Sequence, residues 1–130
     1  MNVENVIKVC PLTGGINATV MDATRHYFGG YYHVQLLVRA AIPVNIDTCA
    51  TLDNFEDALV RLGHVVTFSR TLEKMAVIEA EIEGVRQQLL SAFETNLLPY
   101  LLRDDFVPGF VRSEYRKKLK SVPQFSGNYA

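Results

Sequence analysis

Two cysteines, Cys10 and Cys49, are all that this 130-residue chain contains, and they form no CxxC pair. That excludes a disulfide framework and a paired-cysteine zinc site, and it predicts free thiols with at least one of them buried. Long apolar runs are missing as well. None reaches the roughly 18 residues that a membrane-spanning helix needs. Ala40–Val44, one of the longer runs, is bounded by Arg39 and Asn45. No basic segment followed by an apolar stretch opens the chain, so a cytoplasmic location is expected. Glycine occurs in pairs, but Leu12-Thr13-Gly14-Gly15 fits neither GxGxxG nor GxxxxGK[ST], so no phosphate loop is expected. The serines include no GxSxG elbow. The three histidines make no HExxH, and no Glu-x-x-His pair supports a di-iron site. No motif calls for a cofactor.

Basic and acidic residues nearly balance, 13 against 14. The net charge is −1, with 21% charged and 48% apolar residues, close to an average globular composition. A chain of this size removes roughly two thirds of its unfolded surface from water on folding. It needs no metal or cross-link to do so. The composition predicts a single domain over residues 1–121, followed by a poorly ordered tail at 122–130. Basic residues gather late in the chain, in Arg112, Arg116, Lys117, Lys118 and Lys120.

The strongest periodicity lies in residues 31–44. Tyr32, Val34, Leu36, Val38, Ala40, Ile42 and Val44 alternate with a second, more polar set. Period-2 alternation marks a strand with one buried face. Residues 16–28 precede it and suit a strand. Gly29-Gly30 lies between them and suits a two-residue hairpin turn, where glycine reaches positive φ without a steric penalty. Val3–Val9 supplies a further short strand. Asp53 or Asn54 is placed to cap a helix whose apolar stripe is Phe55, Ala58, Leu59 and Leu62, and Gly63 is placed to stop it. His64–Arg70 reads as a strand. Residues 71–83 satisfy both a strand and a helix pattern; the Glu, Ala and Gln content favours helix from about residue 79. Pro99 should end or kink that helix near 96–98. A last helix is expected from about 108–110 to Lys120. Together these elements predict an α+β fold, with an antiparallel sheet of three or four strands and two or three helices packed on one face.

Candidate site residues follow from the hairpin register. A two-residue loop pairs Phe28 with Tyr31, Tyr27 with Tyr32, and His26 with His33. Continuing the count, Thr24 faces Gln35 and Asp22 faces Leu37. Directly opposed residues hold their Cβ atoms about 4.5–5.5 Å apart. Two imidazoles at that spacing suit a metal ion, with His64 as a third ligand, or acid–base work by His26, His33 and Asp22. A one-residue slip abolishes the arrangement. The same hairpin carries Tyr27, Phe28, Tyr31 and Tyr32, four of the thirteen aromatic residues. Aromatics are ordinary cross-strand partners, and they are also favoured at recognition surfaces. The basic residues 112–120 suit a solvated helix end, where cations meet the negative pole of the helix dipole. A nucleic-acid reader needs a larger positive field. Glu79, Glu81 and Glu83 read as solvated, with Glu83 in reach of Arg86. The leading expectation is a non-catalytic interaction or accessory module that contacts another protein or a second copy of itself. The alternative is a small metal- or ligand-binding enzyme built on the histidines.

Overall fold

The computed structural model describes residues 5–120. The expected tail at 122–130 lies outside the described residues. The fold is α+β. Five strands form one antiparallel sheet: β1 (Asn5–Pro11), β2 (Asn17–Asp22), β3 (Arg25–Phe28), β4 (Tyr31–Pro43) and β5 (Val65–Ile78). The helices are α1 (Phe55–Leu62), α2 (Ile82–Ala92), α3 (Leu98–Leu101) and α4 (Phe106–Lys120). The sheet order is β1-β2-β4-β3, and β5 also pairs with β4.

The sheet has five strands, where three or four were expected, because one expected strand is divided in two. The 16–28 segment is not one strand. Asp22 turns its Oδ1 onto the Thr24 backbone N–H at 3.0 Å and also accepts from the Thr24 hydroxyl at 2.6 Å. Such a side-chain-to-backbone bond competes with the ladder and breaks it into β2 and β3. Residues 71–78 are also strand. β5 continues to Ile78, a 3-10 turn occupies Glu79–Glu81, and α2 begins at Ile82. The two overlapping patterns in 71–83 therefore belong to two consecutive elements.

The chain folds into two compact units. Among the described residues, the first comprises 5–41 and 67–104. Its central strand buries Val34, Leu36, Val38 and Ala40, the set that the alternation singled out. Val34 packs with Val77 of β5 and Val85 of α2, and Ile82 and Leu89 of α2 close over them. That cluster places α2 on the even-numbered face of β4. Pro99 does not end the helix. A proline has no N–H to give the carbonyl four residues back, and its ring crowds that carbonyl. The chain widens into a π turn over Phe93–Leu97, where Leu98 N–H bonds the Phe93 carbonyl, and then continues as α3. Phe93 and Leu97 are buried within that turn.

Among the described residues, the second unit comprises 42–66 and 105–120. Here α1 contacts α4. Asn54 caps α1 by accepting from the Asp57 N–H at 2.9 Å, and Gly63 ends it at φ 80° with its N–H on the Leu59 carbonyl. Both ends match the expectation. α4 starts at Phe106, slightly earlier than expected, with Pro108 in its first turn. A missing N–H has no consequence there, because first-turn N–H groups have no partner within the helix. Ala58, Val107 and Val111 are among the buried residues of this unit.

Candidate functional site

The hairpin turn forms at Gly29-Gly30, with Gly29 at φ 57°, and Phe28 pairs with Tyr31 as expected. One residue further on, the register shifts. His26 pairs with Tyr32, and Arg25 pairs with His33, so Tyr27 is the extra residue of a bulge. Asp22 likewise opposes Leu36 and not Leu37. The His26–His33 pair is thereby lost.

Each histidine instead has a separate environment. His26 is exposed, sets its ring edge-on to Tyr32 with centroids 5.4 Å apart, and gives its Nε2 to the Gly29 carbonyl. His33 is only 8% exposed, and its Nε2 lies 2.7 Å from Glu73 Oε1 on β5. His64 is exposed at the start of β5, where its carbonyl accepts the Val44 N–H at 2.8 Å. Asp22 is committed to structure. Its Oδ1 holds Thr24, and its Oδ2 lies 2.9 Å from Arg86 Nε on α2. Among the described residues, no three His, Cys, Asp or Glu side chains converge on a metal-sized point. The metal arrangement of His26, His33 and His64 and the acid–base arrangement of Asp22, His26 and His33 therefore lose the geometry on which they rested. A single bulged residue accounts for the lost His26–His33 pairing.

The aromatic residues fare differently. Tyr27, Phe28 and Tyr31 are 53%, 71% and 44% exposed, while Tyr32 is half-buried beside His26. Three large rings therefore stand in solvent at the tip of a short, tight turn.

The basic residues of α4 separate into two groups. Arg112 and Arg116 line a cleft of about 270 Å³ facing the 51–54 segment, together with Tyr115 and Leu119. Lys117 is turned to Glu114, 3.0 Å away. Lys120 is exposed. Tyr115 donates its hydroxyl to Asp57 Oδ2, which also accepts Arg61 Nε at 2.8 Å. The Tyr115 hydroxyl and then the Arg61 guanidinium hold the Asp57 carboxyl below its usual range, and the same bond raises the Tyr115 phenol. Sequence reading missed this bond, and no spacing signal marks a pair 58 residues apart. The Glu83–Arg86 contact was legible, being one helical turn apart. Gln87 and then Arg86 keep the Glu83 carboxyl ionised below its ordinary range.

Both cysteines are free and buried, and burial raises both thiols, which disfavours the reactive thiolate. No described helix is long and apolar enough to cross a membrane. Comparison with family models, curated proteins and solved structures gives no match to this chain.

Proposed function

We propose that this chain is a non-catalytic binding module that acts through protein contacts made by the β3–β4 tip. The observation that carries the reading is the exposure of Tyr27, Phe28 and Tyr31 around one two-residue turn. An exposed aromatic ring brings a large apolar area and few rotatable bonds, so it gains much on burial and loses little conformational freedom. The tip is also held in shape. The His26 bond to the Gly29 carbonyl and its edge contact with Tyr32 brace the turn from below. A braced loop binds with a smaller ordering penalty. A partner of matching chemistry has an apolar groove, either on another protein or on a second copy of this chain. We place the module in the cytoplasm, because two free, buried thiols suit a reducing compartment.

The test replaces Tyr31 with a photocrosslinking phenylalanine in the full chain and maps the products, with sedimentation velocity reporting self-association. A discrete crosslinked product is expected, and Phe28→Ala should weaken its formation about tenfold, as for an interface anchor. Products that are absent, or unchanged by Phe28→Ala, overturn the reading.

A further inference from the structure

The cleft beside α4 has a chemistry of its own, independent of the hairpin. Arg112, Tyr115, Arg116 and Leu119 follow the i, i+3, i+4, i+7 spacing, so they lie along one stripe of the helix. Residues four apart on a helix hold their Cβ atoms about 5–6 Å apart. Two guanidinium forks from such positions can converge on one tetrahedral anion, each offering a pair of N–H donors. Neither Arg112 nor Arg116 forms an ion pair with a carboxylate among the described residues. Asp57, the acid bonded to Tyr115, is already engaged by Arg61. The tyrosine between the two arginines is therefore fixed in place, and the arginines face the cleft without a counter-charge from Asp57. Leu52 and Leu119 supply apolar lining. Asp53 also lines the cleft, and its charge opposes an anion there.

We propose that this cleft binds a small phosphate monoester, with Arg112 and Arg116 clamping the phosphate and Leu52 and Leu119 lining the space for its organic group. The volume of about 270 Å³ lies just below the usual range of ligand pockets, which limits the cleft to a compact ester. A nucleic-acid strand would instead need a basic track along the helix, and Lys117 is already turned to Glu114.

The test uses phenyl phosphate and inorganic phosphate as probes, titrated into the 15N-labelled full chain at constant ionic strength, with acetate as the matched control. Saturable shifts are expected in residues 51–54 and in the Arg112 and Arg116 Nε–H signals, stronger for phenyl phosphate than for phosphate and absent for acetate. Arg112→Gln with Arg116→Gln should weaken binding at least tenfold. Asp53→Asn should tighten it several-fold by removing the opposing charge. The Asp53→Asn arm decides the matter if the arginine variant does not fold. Shifts that rise linearly without saturation, affinity unmoved by either variant, or shifts confined to Lys117, Lys118 and Lys120 overturn the proposal. So does retention of a mixed-sequence oligonucleotide by a chain that ignores phenyl phosphate.

Discussion

Strands β4 and β5 are nearly equal in length, 13 and 14 residues, and they pair with each other, yet they present opposite patterns. β4 has neighbours on both sides and buries every second residue from Val34 to Ile42. β5 pairs only with β4 among the described residues, and most of its residues are exposed. Its buried positions also change phase. Val66 and Phe68 are buried on even numbers, whereas Val77 is buried on an odd one. Between them stands Ala76 at φ 57°, the only described non-glycine residue with positive φ. A side chain in that region crowds its own backbone. A central strand writes its environment into the sequence as a clean period, because both its faces and both its edges are constrained. An edge strand with an irregular residue does not.

The largest effect that would break this comparison lies in the core of β4. Leu36 is fully buried, so Leu36→Ala should cost about 2–5 kcal/mol, from lost transfer energy and the cavity left behind. Met75→Ala on β5, 44% exposed, should stay within about 0.5 kcal/mol. Urea denaturation of both variants checks the contrast, and equal losses would erase it.

A smaller effect has opposite signs in the two strands. Ala40→Gly in β4 should destabilise by about 0.5–1 kcal/mol, the usual penalty for glycine within a strand. Ala76→Gly in β5 should be neutral or stabilising by up to about 1 kcal/mol, because glycine relieves the left-handed strain. Thermal unfolding of the pair reads the sign. A loss at Ala76 matching that at Ala40 would show that Ala76 carries no strain.

The smallest effect concerns the second unit and is read as a pH dependence. Asp57 has a folded pKa below its ordinary value of 3.8, chiefly through the Tyr115 hydroxyl. A carboxyl depressed in the folded state binds fewer protons than in the unfolded state. Its stabilisation is complete above the ordinary aspartate range and is lost as pH falls through the depressed folded value. Tyr115→Phe should therefore lower stability most at neutral pH and progressively less as pH falls through the aspartate range, which flattens the acid side of the profile. Melting temperatures across that range test it, and an unchanged acid limb would remove Tyr115 as the cause.

Much of the fold was legible. The β4 alternation, the Gly29-Gly30 turn, the Asn54 cap and the Gly63 stop all follow from short-range rules, and the structure contains all four. The split at Asp22–Thr24 was less so, because a side-chain bond to the backbone leaves no periodic trace. Pro99 marks a perturbation in the sequence, but whether a helix stops or widens there depends on what buries Phe93 and Leu97. The candidate site was legible only in part. The exposed rings could be named from sequence, and so could the basic residues of α4. The histidine pairing could not, since one bulged residue at Tyr27 shifts every partner beyond it. The cleft could not either, because its two walls come from segments some 60 residues apart in the chain.

By itself the sequence determined which segments become strand or helix wherever local geometry and a buried face agree, and it placed an aromatic, glycine-turned hairpin in the chain. Tertiary structure alone decided the register above the turn, the length of β5, the commitment of Asp22 to Arg86, and the separation of the α4 cations into a cleft pair and a solvent-facing group. The reason is range. Periodicity and capping act over a few residues, whereas bulges, long-distance hydrogen bonds and clefts depend on which surfaces meet once the chain has folded.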